Sequence, residues 1–577
     1  MPQRGYSIQT NFSAGMLDLS SISRFDVEAY KAGGLDITNM LGLPLGGVTL
    51  RGGLAHFATV ASGGANGRLL RFEFSTEQVY LMLVRALAID VYLPDGTLAA
   101  TVTTTYAADE IAALSWVQSL DTLILVHPNH APARLVRSGS HSEWVLSDLV
   151  LTNIPTYKFD GTTAEPVWSA ARGWPRSVFL HQGRLYFGGS KSRPQTVWGS
   201  TANSFFDFAT TDDALDDEAV ELTFDNDRVC AVQQLYALND FFAFTTGGLF
   251  ARVSDNPVSP NAFTMARSSE VPAARLRPAE IDGSVMYASY GEESGFSTIY
   301  EVIFDYDTQS YRAEDVALLS GHLMRRPVDM AARLGNETDS ANHLYVVNGG
   351  DGTVAVLNSR KVQKMTGWTL LRTGGEILSV AVVGNLPYFL IRRTVAGATV
   401  HTIERLDPER RLDCSVTLTA ETPTDEWSAA ALAFYNGATV DLIGDGAPLG
   451  QAEVAGGALT TSYPVLALEV GFAFDWAVET MPAMVDGSEI MERHRIVRAS
   501  VVVERTAGMA VNGRPIADQF VGPDLLDRPA QPFTGTKQIR FLGWKGGRVG
   551  GIGATVRITG TSANPATILA VAAEVAK

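Results

Sequence analysis

A turn residue followed by a short apolar strand recurs along the middle of this chain, and that recurrence is the strongest constraint on its fold. The copies are Asp121-Thr-Leu-Ile-Leu-Val, Gly183-Arg-Leu-Tyr-Phe, Asp240-Phe-Phe-Ala-Phe, Gly283-Ser-Val-Met-Tyr, Asn342-His-Leu-Tyr-Val-Val and Asn385-Leu-Pro-Tyr-Phe-Leu. They recur about every 53 residues on average, a period that suits propeller blades better than shorter solenoid repeats. An apolar segment precedes most copies, as at Ser177–Leu180 and Leu378–Val382. A third strand follows, and a fourth often carries an aromatic, as at Trp144–Asp148. One four-stranded blade cannot bury both of its faces, whereas radial stacking buries them and protects the strand edges.

The pattern predicts an all-β chain with a six-bladed β-propeller at 110–412. An N-terminal ring or body segment at 1–109 and a C-terminal β-rich domain at 413–577 flank it. The C-terminal segment carries hairpin-turn pairs such as Asn436-Gly437 and Asn512-Gly513. No Pro-rich or Ser-rich linker separates the parts, so the two flanks are expected to form one β-rich body. With 577 residues, 46% of them apolar, there is material for more than one core.

Charge narrows the partners. The formal net charge is −17, and a protein that grips duplex DNA over its whole surface needs the opposite sign. Two cysteines, Cys230 and Cys414, make neither a disulfide framework nor a thiolate zinc site, and read as buried thiols in a reducing compartment. No apolar run reaches the roughly 18 residues of a membrane helix, and the first residues lack a signal-peptide core, so no membrane anchor is expected.

Catalytic signatures are weak. Asp212-Asp213 and Asp216-Asp217-Glu218 supply carboxylates, yet their adjacency suits a solvated loop better than a cation site or a glycosidase pair. His127 and His130 flank Pro128-Asn129, which is turn chemistry, so no metal site is assigned there. Neither a nucleophile elbow nor a phosphate-binding loop is present, and the Gly-rich stretch Gly543–Gly553 reads as a flexible loop. Arg392-Arg393, Arg410-Arg411 and Arg493, Arg495 and Arg498 read as salt-bridged surface. No catalytic residue, cofactor or metal is predicted, and the chain is not expected to be an enzyme.

Several segments carry a resemblance. Gln9-Thr-Asn-Phe-Ser-Ala-Gly-Met-Leu-Asp18 is followed by Arg24-Phe-Asp-Val-Glu-Ala-Tyr-Lys-Ala-Gly33, Asn39-Met40, Leu43-Pro-Leu-Gly-Gly47 and Arg51-Gly-Gly53. Further on come Gly173-Trp-Pro-Arg176, His181-Gln-Gly-Arg-Leu-Tyr-Phe-Gly-Gly-Ser190 and Gln195-Thr-Val-Trp-Gly-Ser200. In order and spacing these segments resemble the tail tubular protein B-like family, the tail nozzle proteins of short-tailed bacteriophages. The resemblance spans 9 to about 410 and departs at Arg51-Gly-Gly53, where a second Arg or a Pro would stand nearby.

The resemblance implies a structural virion protein built around a propeller, without catalytic residues. It implies a homo-hexameric ring at the distal end of the tail that conducts and gates the genome during ejection. The ring would sit below an adaptor ring of the tail tubular protein A-like kind, with tail fibres as further neighbours. Such a protein is assembled in the host bacterial cytoplasm and resides in the virion. Double-stranded DNA would pass through without sequence-specific binding, and an acidic conduit favours sliding over adhesion. Rival readings are a propeller glycoside hydrolase or depolymerase, a propeller scaffold for cellular proteins, and a hub or stopper of another tailed particle.

Two sets of residues are candidates within the nozzle reading. The irregular opening segment is rich in apolar side chains, which marks Asn11, Phe12, Gly15, Leu17, Arg24, Asp26 and Tyr30 as an inter-subunit arm. Lys545 and Arg548 are candidates for a lumen or gate loop. The loops 209–219, 256–262 and 543–553 are the candidate gates.

Overall fold

Five of the six turn residues that mark the repeat sit in the hairpin between the first and second strand of a four-stranded antiparallel unit, and Asn342 opens the second strand of its own. At Gln182-Gly183, Asp282-Gly283 and Gly384-Asn385 both turn residues have positive φ, the backbone that matches the twist of the flanking strands. The computed structural model describes residues 4–252, 256–289, 297–335, 340–484, 494–517, 531–540 and 554–576.

Seven such four-stranded units follow one another and form a β-propeller. Blade 1 spans 68–103, blade 2 115–148, blade 3 177–223, blade 4 232–269, blade 5 279–315 and blade 6 327–371. Blade 7 takes three strands from 375–407, and its outermost strand is Gly53–Val60, paired antiparallel to Ala398–Asp407 from His401↔Val60 to Asp407↔Gly53. A strand from early in the chain therefore closes the ring.

Alternation explains why the blade strands read as continuous apolar runs. Successive side chains point to opposite faces, and in a propeller each face meets another blade. Leu185 and Phe187 pack toward blade 2, whereas Tyr186 between them packs toward blade 4. Phe242 and Phe244 face blade 5, and Phe241 and Ala243 face blade 3. Leu344 and Val346 join blade 5, and Tyr345 and Val347 join blade 7. Blades 1 and 2 share a core around Phe72 and Leu125. Leu83 of blade 1 meets Leu390 of blade 7, so seven inter-blade cores complete the circle.

The count and the boundaries correct the expectation of six blades at 110–412. The unit at 68–103 falls in the segment expected to be an N-terminal body, because its first hairpin, Phe74 to Gln78, carries none of the glycine, asparagine or aspartate signals that mark the other blades. The outer strand of blade 7 was missed because its partner is distant in sequence.

Outside the propeller, strands from both ends of the chain interleave. Arg4–Gln9 pairs with Thr567–Ala576, which also pairs with Arg495–Thr506 and with Val48–Leu50. Gly15–Met16 and Gly33–Thr38 join the outer strand of blade 6, Met365–Leu371, to Asp475–Thr480. Asp413–Ser428 starts parallel to Gly53–Val60 and then pairs with Ala458–Phe472.

Candidate functional site

The inner strands of the seven blades line one central cavity of about 770 Å³. Every blade contributes to it, through Arg71, Trp116, Leu180, Tyr236, Glu280, Met330 and Val382 in turn. Blades 1 to 6 run from inner to outer strand in chain order, so their inner strands start on one rim. Arginines collect at this rim. Arg68 opens the inner strand of blade 1, Arg176 precedes that of blade 3, and Arg275 and Arg277 precede that of blade 5.

Three of the four converge on residues 113–116. Arg68 Nη1 donates to the Leu114 carbonyl at 3.2 Å and Arg275 Nη2 to that of Ala113 at 2.8 Å. Arg277 donates to the Trp116 carbonyl. The Trp116 ring lies 4.5 Å from the Arg68 guanidinium and 5.1 Å from that of Arg277, within cation–π range. One carboxylate enters the cluster: Asp329 pairs with Arg68 at 3.2 Å and also accepts from Ser379 Oγ at 2.5 Å. Burial lowers the Arg275 pKa to about 10, with Arg176 and Arg68 adding repulsion. Burial lowers Arg277 to about 10 as well, with Arg71 and Arg68 contributing. Arg275 and Arg277 remain cationic near neutrality.

A second cluster lies near this rim. Glu110, His127 and His130 each place a ligand-type atom within 4.8 Å of the others. His127 and His130 do flank a two-residue turn, and Glu110 is brought to them by the fold. His130 Nε2 lies 2.8 Å from Glu110 Oε2, its Nδ1 lies 3.3 Å from Thr105 Oγ1, and His127 Nδ1 accepts the Asn129 amide at 3.1 Å. The Ala107 amide and the two side chains beside it hold the Glu110 carboxyl down at about 2, and burial lowers His127 to about 4. Two imidazoles and a carboxylate form a donor set that zinc accepts. The cluster is equally complete as a hydrogen-bonded unit.

The proposed arm folds into its own chain. Phe12 is buried in a core with Val478 and Ile568, and Leu17 and Tyr30 pack with Met481. Gly15 has φ +69°, and a Cβ there would sit 2.3 Å from the Trp368 amide nitrogen. Asn11 accepts from Ser13 Oγ at 3.2 Å, a local turn contact. The apolar side chains that motivated an arm thus find partners far along the same chain. Arg24 and Asp26 are exposed and pair with each other at 2.9 Å. Lys545 and Arg548 lie outside the described residues, as does the whole 543–553 loop.

Arg51, of the departing motif, is the junction of the molecule. It is 1% exposed and donates to Asp413 at 2.9 and 2.8 Å, to Asn39 Oδ1 at 3.0 Å, and to the Gly52 and Arg372 carbonyls at 2.9 Å. Its guanidinium stacks 3.5 Å from the Phe474 ring centroid. One side chain thereby ties the N-terminal segment to blade 6 and to the C-terminal strands.

The remaining sequence candidates take structural roles. Glu218 is buried and accepts the Thr211 amide at 2.9 Å, while Arg184 gathers the carbonyls of Ser200, Asp216, Glu218 and Val258. Arg393 is not at the surface: it forms a buried pair with Glu404 at 2.5 Å. Sequence reading passed over Arg275 and Arg277, because no spacing rule joins residues from three blades.

No family model and no curated protein matches the chain. Solved propellers resemble it. The WD40 domain of Neurospora crassa Pan2 covers 62% of this chain and 96% of its own, at 8% identity and a TM-score of 0.38. The WD40 repeats of RRP9 cover 60% of this chain and 99% of their own, at 10% and 0.35. Chaetomium thermophilum Raptor covers 63% of this chain and 29% of its own, at 12% and 0.36. At this similarity the comparison carries no argument about activity or partners.

Proposed function

We propose that this chain is a structural subunit of a short-tailed phage tail, one of six in a nozzle ring that conducts and gates the genome. The observation that carries the reading is the use made of the residues behind the resemblance. Phe12 fills a core, Gly15 permits a backbone contact closed to any other residue, and Arg51 joins three parts of the molecule. These are architectural tasks, consistent with a family without catalytic residues. In this reading the adaptor ring and tail fibres are the neighbours, and the protein is assembled in the host cytoplasm before it enters the virion.

The duplex would run along the axis between subunits. Negative-stain microscopy of the purified chain tests the reading, with a six-fold ring as the expected particle. A monomer at micromolar concentration would overturn it. Release of sugars from host capsule would instead favour the glycosidase alternative.

A further inference from the structure

The arginine cluster at the channel rim holds more positive charge than its surroundings balance. Arg68 is buried and Arg176, Arg275 and Arg277 are half-buried; cations taken even partly out of water are ordinarily paired, because desolvating an uncompensated charge is costly. Arg68 has Asp329. Glu280 lies with Arg71 and Arg277 around Tyr236 and offsets part of their charge. Glu73 and Asp282, the other carboxylates on the cavity wall, are engaged by the Gly384 amide and by Asn342 and Ser359. Arg275 donates, among the described residues, only to backbone carbonyls, those of Ala113 and Arg176. Among the described residues, the Arg176 guanidinium has no acceptor within hydrogen-bond distance and no carboxylate within ion-pair distance. The Nε atoms of Arg68, Arg176 and Arg275 are all buried without a partner, and Arg68 is 6% exposed.

Three aligned facts point to one ligand chemistry. The donors are guanidinium N–H groups, which match the geometry of tetrahedral oxyanions. They come from blades 1, 3 and 5; Arg68, Arg275 and Arg277 are fixed by the 113–116 carbonyls, and Arg68 and Arg277 also by stacking on Trp116. Beside them lies a cavity that already includes Arg277 and Trp116 in its wall. We propose that this rim is an oxyanion site, which takes a small phosphate-class dianion between Arg176 and Arg275, at the edge of the cavity that Arg277 lines. The inference is independent of the nozzle reading, since it concerns one propeller and not the ring.

Isothermal titration of the full-length protein with inorganic phosphate tests it, against sodium chloride of matched ionic strength. Saturable binding of phosphate, with sulfate competing, is expected. Arg176→Gln removes a side chain that holds no backbone contact, so the fold should be kept, as judged by an unchanged melt in chloride. Its phosphate affinity should fall by about tenfold to a hundredfold, the effect of losing a charge-assisted hydrogen bond. Arg176→Lys should recover part of it. Heats no larger than those of chloride would overturn the proposal. So would full affinity in Arg176→Gln, or binding of a short DNA duplex without binding of phosphate.

Discussion

Replacing Arg51 with alanine should be among the most damaging single changes in this protein. The substitution deletes two charge-assisted bonds to Asp413 and three bonds to neutral oxygens. It leaves the Asp413 carboxylate 1% exposed and without its cation. Breaking a buried ion pair from one side costs about 3–5 kcal/mol, because the stranded charge keeps its desolvation penalty. The Phe474 stacking contact is lost as well. Arg51→Ala should therefore lower the free energy of urea unfolding by that amount. Hydrogen exchange should quicken first in the strands 53–60 and 413–416, which the pair bridges. The double variant Arg51→Met, Asp413→Leu removes both charges together and should be more stable than Arg51→Ala by about 3–5 kcal/mol, the penalty of the stranded charge. A single variant within about 1 kcal/mol of wild type would refute the junction role. A double variant that costs the sum of the two singles would refute the electrostatic reasoning.

Other expectations follow from the same contacts. Gly15→Ala meets both a positive φ and the Trp368 backbone, so its thermal midpoint should fall by several degrees, or the protein should fail to fold. His343 is buried and its pKa is lowered to about 3 by that burial. The unfolded chain takes up its proton near the ordinary value of 6.5, so this residue withdraws stability as pH falls from 6.5 toward 3. In His343→Phe the acid-unfolding midpoint followed by circular dichroism should move to lower pH. Removing residues 1–60 takes away the outer strand of blade 7, so the truncated protein should bind a dye for exposed apolar surface where the full chain does not. Cys230 and Cys414 are both buried, and burial pushes the Cys414 thiol well up, so neither should react with a thiol reagent until denaturant is added.

How far the sequence could be read depended on whether a signal was local. The hairpins at Gln182-Gly183 and Asp282-Gly283 announce themselves because the turn chemistry lies within two residues. Blade 1 escaped because the Phe74–Gln78 connection is held by a backbone bond that needs no special residue. Phe12 and Leu17 read as an arm because they lie in an irregular segment rich in apolar side chains, and the cores that take them combine nearby residues such as Met40 and Tyr30 with C-terminal ones such as Ile568 and Met481. No motif joins the rim arginines to one another, since Arg176 and Arg275 become neighbours only when blades 3 and 5 take their places in the ring. The pairing of His127 and His130 across a turn was legible, whereas the arrival of Glu110 was not.

The late pairing of Gly53–Val60 also sets an order of events during synthesis. That strand leaves the ribosome before any blade exists, and its partner Ala398–Asp407 follows only after the other six blades have been made. At roughly 5–20 residues per second the wait lasts tens of seconds. Throughout it, an apolar strand and the open face of blade 1 are available to other chains. Where several copies are made side by side, the segment that completes one ring can complete a neighbour's instead. Crowded synthesis is therefore the condition under which strand-exchanged oligomers of this protein should first accumulate.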